Sequence, residues 1–327
     1  MQGKVAFEEH VAIEETLSGA DNFAGDPAGW EAFSRELLEI GERRIEAMER
    51  NGIEFALLSL NVPAVQAILD TDEAIAVARK ANDRIAEAVT LHPHRYAGLA
   101  ALPMQDPDAA AAELTRCVRD LGFKGALVNG FTQKDEPDSA IYYDLPEYRS
   151  FWATVSALDV PFYLHPRTQI PSRARNYEGH SWMMRAPWGF AVETSIHALR
   201  LCGSGLFDDY PNLRIAVGHL GENIPFALWR LDARMRFSSR GYRGKRLPGE
   251  YFAEHFHVTT SGFFNDPAFK CTLETMGTDR VYFSTDYPFE RMEAAAAWYD
   301  ATPTVADSDR LKIGRTNAIR LFGLDLE

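Results

Sequence analysis

Gly52-Ile53-Glu54-Phe55-Ala56-Leu57-Leu58-Ser59-Leu60 is an apolar run of strand length that begins at a glycine. The stretch ahead of it places Ile45 and Met48 three residues apart with Arg43, Arg44 and Glu46 outward, which is helical spacing. Gly52 stands where that helix is expected to stop. A strand that is apolar on both alternating faces is buried on both sides, as in parallel sheets covered by helices. The same unit recurs along the chain. Strands are predicted at 3–9, 53–60, 95–102, 124–129, 160–165, 213–219, 256–262 and 280–285, with helical periodicity between them, as in Leu114-Val118-Leu121. Asp106-Pro107 is a good helix start, and Gly122 and Gly277 are further stops. Eight buried strands alternating with helices predict an α/β fold of the (β/α)8 TIM-barrel type, with an open doubly wound sheet as the alternative. Neither Gly-x-Gly-x-x-Gly after the first strand nor Gly-x-x-x-x-Gly-Lys occurs, so a nucleotide site has no anchor.

Composition narrows the function classes. The 327 residues are 46% hydrophobic and 25% charged, enough for a large core, and one barrel with long loops accounts for the whole of 1–327 as a single domain. The formal charge of −13, with no basic block, disfavours a nucleic-acid partner. Apolar runs such as Phe55-Ala56-Leu57-Leu58 fall far short of the ~20 residues that span a bilayer. No membrane partner is expected. The first residues lack the apolar core of a signal peptide, which predicts a cytoplasmic protein. Cys117, Cys202 and Cys271 lie far apart, as reduced core thiols do. Three longer connections, 11–40, 130–146 and 166–190, follow strand ends and are expected to wall the active face of a barrel.

Polar residues at those strand ends carry the chemistry. His10, His165 and His219 close the first, fifth and sixth predicted strands, and Asp286 closes the eighth. Side chains alternate along a strand, so Glu8 points the same way as His10 and Glu9 the other way. Glu8, His10, His165 and Asp286 then offer two imidazoles and two carboxylates to one divalent transition metal, with room for water or substrate. Gathering so many ionisable groups without a cation would be costly. Glu222, expected in the first turn of the helix after His219, is placed to orient that imidazole. His255 and His257 enter their strand from the far end and are expected to be structural, and His92-Pro93-His94 closes a helix. No Gly-x-Ser-x-Gly elbow supports a serine nucleophile.

Six stretches resemble the decarboxylase branch of the amidohydrolase superfamily. They are Gly3-Lys4-Val5-Ala6-Phe7-Glu8-Glu9-His10, Ser59-Leu60-Asn61-Val62-Pro63-Ala64-Val65-Gln66, Gly125-Ala126-Leu127-Val128-Asn129-Gly130-Phe131, Asp159-Val160-Pro161-Phe162-Tyr163-Leu164-His165-Pro166-Arg167, Gly218-His219-Leu220-Gly221-Glu222 and Lys312-Ile313-Gly314-Arg315-Thr316-Asn317-Ala318. The resemblance runs colinearly from Gly3 to about Leu324. It implies a metal-bearing barrel, with Glu8, His10, His165 and Asp286 on the metal, His219 and Glu222 as catalytic pair, and a homotetramer built as a dimer of dimers. Hydrolytic members usually open with His-x-His and, when dinuclear, offer a lysine at the end of the fourth strand. Here Glu8-Glu9-His10 and Asn129-Gly130 stand at those places, so one ion is expected. Zinc, manganese and magnesium all suit the donor set, and no organic cofactor is expected.

The implied reaction is the oxygen-independent decarboxylation of an ortho-hydroxylated benzoate, with 2,6-dihydroxybenzoate favoured and the 2,3-dihydroxy acid or salicylate as alternatives. Direct loss of carbon dioxide would leave an aryl carbanion, so the ring carbon must first be protonated. The expectation is that carboxylate and phenolate oxygens chelate the ion, Asp286 delivers the proton, and His219 with Glu222 supports the transfer. Phe23, Asn61, Arg167, Arg230 and Phe289 are candidates for binding this small aromatic acid. A mononuclear hydrolase of a lactone or amide is the rival within enzymes, and a silent barrel serving as a binding subunit the rival outside them.

Overall fold

The computed structural model describes residues 1–18 and 27–326. Its frame is eight parallel strands: β1 (Lys4–Val11), β2 (Ile53–Leu60), β3 (Tyr96–Gly98), β4 (Ala126–Asn129), β5 (Phe162–His165), β6 (Ile215–Val217), β7 (Phe256–Thr259) and β8 (Val281–Tyr282). One ladder runs β1-β2-β3 and another β4-β5-β6-β7-β8, in chain order. Single parallel bridges close the two seams, Ala100 to Ala126 and Glu9 to Tyr287. Leu127 N donates to Ala100 O (3.0 Å) across the first, and His10 N to Tyr287 O (2.7 Å) across the second. The sheet has no free edge, which excludes the open alternative.

Several strands are shorter than their apolar runs. The expected 213–219 yields only Ile215–Val217, and 280–285 only Val281–Tyr282. Toward the carboxyl ends, side chains take over the bonding: Ser284 N donates to Thr260 Oγ1 (3.0 Å), Thr285 N to Glu9 Oε1 (2.9 Å) and His219 N to Ser261 Oγ (3.3 Å). His219 and Asp286 therefore lie in turns just past β6 and β8.

The parity of β1 changes midway. Ala6 faces Ala56 and Glu9 faces Leu58, so Phe7 and Glu8 together oppose one residue, Leu57. This bulge turns both Phe7 and Glu8 into the barrel. Phe7 packs edge-on against Tyr163 and Tyr282 with centroids 5.2 and 5.4 Å apart, in a lower interior shared with Val5, Phe55, Leu57 and Leu127. The carboxy-terminal helix Asn317–Phe322 closes that end, its Phe322 ring 4.6 Å from Phe7.

Outside the strands, helices bury an apolar layer that includes Met48, Tyr96, Trp152 and Phe256. Asp106 caps Pro107–Arg119 by accepting from Asp108 N and Ala109 N. His92 ends Thr71–Leu91, as expected. Arg44 departs from the outward reading: it is buried, because its guanidinium donates to Glu36 O, Glu39 O and His10 O, backbone acceptors that no periodicity reveals. Among the long connections, 130–146 holds an antiparallel hairpin, Thr132–Lys134 with Glu136–Ile141. All three cysteines are free; Cys117 and Cys202 are buried and Cys271 is half-buried.

Candidate metal centre

Four side chains converge at the carboxyl ends of the strands. Glu8 comes from the bulge of β1 and His10 from just past it, His165 ends β5, and Asp286 sits in the turn after β8 with φ +70°. Glu8 Oε1 lies 3.2 Å from His165 Nε2 and 3.5 Å from His10 Nε2, and His10 Nε2 lies 3.2 Å from Asp286 Oδ1. One donor atom from each of the four residues falls within 4.8 Å of every other. Ligands at about 2.0–2.2 Å from an ion would stand at most about 4.4 Å apart, so this spread is close to that of a coordination shell. Glu8 Oε1, His10 Nε2 and Asp286 Oδ1 are buried with no hydrogen-bond partner among the described residues. Three orphaned polar atoms facing one point suit a bound cation, since a buried polar atom is normally satisfied. The residues fit the group.

The rest of each ligand is held from behind. Glu8 Oε2 accepts from Tyr163 Oη, from Ser261 Oγ (2.5 Å) and from Thr259 Oγ1 (3.2 Å). His165 Nδ1 pairs with Asn129 Oδ1 at 2.7 Å, which puts the proton on Nδ1 and leaves the Nε2 lone pair facing the cluster. Asn129 is fixed in turn by its Nδ2 on Asn61 O (3.0 Å). His10 Nδ1 lies 3.3 Å from Ser59 Oγ. The sequence reading missed Tyr163, Ser261 and Asn129 as supports. Tyr163 was within reach, because it stands two residues before His165 and so shares its face.

The charges show what the site is built around. Burial alone would depress His10, yet Asp286 and Glu8 beside it push it up to about 9. His219 is likewise raised well above the usual imidazole range: burial opposes, but Glu222 and Asp286 prevail. Glu8, against the pull of burial, is held well below the usual carboxylate range by His10 and His165. His165 is lowered by burial and by the neighbouring His10. Without an ion, protonated imidazoles supply the positive charge that the carboxylates demand.

His219 joins this cluster through Asp286. Its Nδ1 is 2.8 Å from Glu222 Oε1 and its Nε2 is 3.6 Å from Asp286 Oδ2. Glu222 is not in the first turn of a helix, since the helix runs Ile224–Met235 and residues 219 to 222 form a left-handed turn with φ of +53°, +57°, +86° and +58°. Such a run costs on the order of 1–3 kcal/mol for each non-glycine residue. It is held by Leu220 N on Thr259 O (2.8 Å) and Gly221 N on Gly218 O (2.8 Å). A Cβ on Gly218 would stand 3.0 Å from Tyr163 Oη and 3.1 Å from Glu8 Oε2, so a side chain here would press on the groups that hold Glu8.

The substrate-side candidates divide. Phe289 lies at the mouth, edge-on to the His10 ring at 5.4 Å and to Phe33 at 5.2 Å. Phe23 lies outside the described residues. Asn61 is wholly buried and spends its amide on Thr16, accepting from Oγ1 (2.9 Å) and donating to the carbonyl (3.0 Å). Arg167 is also buried, stacked on Phe131 and bonded to Gln66 O, Phe131 O and Gln133; burial lowers it to about 10. Both brace neighbouring loops. Arg230 is exposed on Ile224–Met235 and makes no ion pair among the described residues. Sequence position put Arg167 just past His165 and Arg230 on the helix after His219, but does not set where such side chains point.

A closed (β/α)8 barrel carrying two imidazoles and two carboxylates at its carboxyl rim defines a metal-dependent barrel enzyme. The amidohydrolase family model matches residues 35–324, and the chain belongs to that family. The gamma-resorcylate decarboxylase of Rhizobium radiobacter is 52% identical over 329 residues, covering 99% of each chain. A 2,6-dihydroxybenzoate decarboxylase crystallised with 2,6-dihydroxybenzoate superposes with a TM-score of 0.96 at 51% identity, over 99% of this chain and 100% of that one. A dihydroxybenzoic acid decarboxylase of Polaromonas sp. JS666, with bound manganese and the inhibitor 2-nitroresorcinol, gives 0.97 at 50% identity, over 100% and 98%.

Proposed function

We propose that this chain is a metal-dependent, oxygen-independent decarboxylase that converts 2,6-dihydroxybenzoate to resorcinol and carbon dioxide, and runs in reverse at high bicarbonate. The observation that carries the reading is the bridging position of Asp286, with Oδ1 turned to the His10 side of the cluster and Oδ2 to His219. Glu8, His10, His165 and Asp286 would hold one divalent ion, manganese or zinc, with magnesium as a further fit. When bound, the ion supplies the positive charge that draws a carboxylate and an ortho phenolate oxygen to an otherwise acidic protein.

Asp286 then faces the ring carbon that bears the carboxylate and delivers the proton to it. Carbon dioxide departs from the protonated carbon, and the electron pair of the broken bond restores the aromatic ring. His219 supplies Asp286 Oδ2 with its proton, and Glu222 fixes the imidazole orientation through Nδ1. Phe289, beside His10, offers an edge for the ring. Electron donation from ortho hydroxyls makes that carbon basic enough to be protonated, which favours this substrate over an unactivated benzoate. Anaerobic incubation of the metal-loaded protein with 2,6-, 2,3- and 2,4-dihydroxybenzoate and salicylate tests the reading. Equal amounts of carbon dioxide and phenol are expected, fastest from the 2,6-isomer; release from none of them would sink it.

The chain is read as one domain, both ends packing on the same barrel: the Met1 amino group pairs with Asp300 at 2.8 Å, and Phe322 meets Phe7. We further propose a homotetramer in the cytoplasm. Phe226, Trp229 and Phe237 are 89%, 79% and 83% exposed along one helix and its end, an apolar face that a second copy would cover. Light scattering at micromolar concentration should give four times the chain mass; a monomer would contradict it. Among the described residues no helix is long and apolar enough to cross a membrane.

A further inference from the structure

Glu9 stands between two residues of the cluster and faces the other way. It is 1% exposed, directed into the layer between strands and helices. A carboxylate there needs donors, and all of its direct ones come from a single place. Oε1 accepts from Thr285 N (2.9 Å) and Ser284 Oγ (3.3 Å), and Oε2 from Thr285 Oγ1 (2.6 Å). Thr285 is the residue before Asp286.

The location matters because the barrel closes here. Glu9 lies in β1, the segment 284–286 follows β8, and among the described residues the two sides meet in a single strand-type bridge, Glu9 to Tyr287. Asp286 itself has φ +70°, an uncommon backbone conformation for a residue other than glycine. Its backbone is tied to β1 by Asp286 N on Glu8 O (3.1 Å). Arg44 braces the same layer, donating to His10 O (2.8 Å) with its guanidinium 4.8 Å from the Tyr287 ring centroid.

We infer that Glu9 is a positioning residue: by gripping the amide and hydroxyl of Thr285 with both carboxylate oxygens, it aims Asp286 at the metal cluster and at His219. The inference rests on Asp286 serving as metal ligand and proton donor. It assigns Glu9 no contact with substrate or ion. Glutamine keeps the volume and one acceptor for Thr285 N, but turns an NH2 toward Thr285 Oγ1, so the hydroxyl can no longer donate to it and the grip is weakened.

The test measures manganese retention by titrating the loaded protein with a competing chelator, alongside kcat, KM and the melting midpoint. Glu9→Gln and Thr285→Val should each weaken manganese binding by about 10–100-fold and lower kcat with KM changed less. Thr285→Ser, which keeps the hydroxyl, should restore wild-type values to within about threefold, and the Glu9→Gln/Thr285→Val double variant should be no worse than the weaker single, as for one shared interaction. A folded Glu9→Gln protein with unchanged manganese retention and kcat, or additive losses in the double variant, would overturn the inference. Should Glu9→Gln fail to fold, the Thr285→Val and Thr285→Ser pair decides it on the same readouts. Asp286→Asn is the control for the underlying reading: if it leaves manganese retention intact, the ligand assignment fails first, whereas a loss there and none at Glu9 rejects the positioning role alone.

Discussion

The two ends of one barrel interior are built on opposite principles. Below the β1 bulge, Val5, Phe7, Phe55, Leu57 and Leu127 fill the space with carbon and aromatic edges. Above it, within the same strands, Glu8, His10 and His165 meet Asp286 with three polar atoms left unsatisfied. The lower end contributes stability, since burial of apolar side chains is favourable in itself. The upper end holds charges and left-handed backbone that the rest of the fold must sustain. One inserted residue on β1 marks the boundary, turning Phe7 down into the core and Glu8 up into the site.

That division can be broken from either side. Asp286→Asn should have the largest effect, lowering turnover by about 10²–10⁴-fold and weakening manganese retention, with a lowered melting midpoint because His10 and His219 lose the carboxylate they face. Steady-state assays with matched thermal melts check it. Leu57→Ala, in the lower end, should do the reverse: it should cost about 2–5 kcal/mol in denaturant unfolding yet leave the manganese retention of the folded protein unchanged.

A smaller effect distinguishes loaded from metal-free protein. His10 is raised from its ordinary value near 6.5 to about 9, so its contribution is fully present below the lower value and is lost as pH rises through the higher one. This group should therefore make metal-free protein less stable as pH rises from about 6.5 through about 9. Loaded protein should show no such loss, since the ion replaces the proton at Nε2. Unfolding curves across that range check the slope. The mildest effect is expected at Glu222→Gln, about 10–100-fold in kcat with manganese retention intact, because Glu222 orients His219 and touches none of the four clustered residues.

Much of this was legible beforehand for a physical reason. Strand ends in a barrel share one rim, so His10, His165, His219 and Asp286 could be grouped by their place in the chain alone. Apolar runs located all eight strands, although the ladder pattern ended early wherever side chains such as Thr260 and Glu9 replaced backbone partners. The bulge was invisible, because it depends on β2 facing β1. The left-handed turn at 219–222 was equally hidden, with only Gly221 hinting at it. Arg44 misled because it satisfies acceptors distant in sequence, where residue type alone suggested solvent, and Arg167 and Asn61 are held by bonds of the same long range.

Stoichiometric turnover tests the central claim most directly. Metal-free protein should be titrated with manganese under anaerobic conditions in the presence of 2,6-dihydroxybenzoate, with resorcinol and carbon dioxide both measured. Activity should rise linearly, level off at one ion per chain, and release the two products in equal amounts. Resorcinol formation that is indifferent to the ion, or none at full loading, would contradict the account.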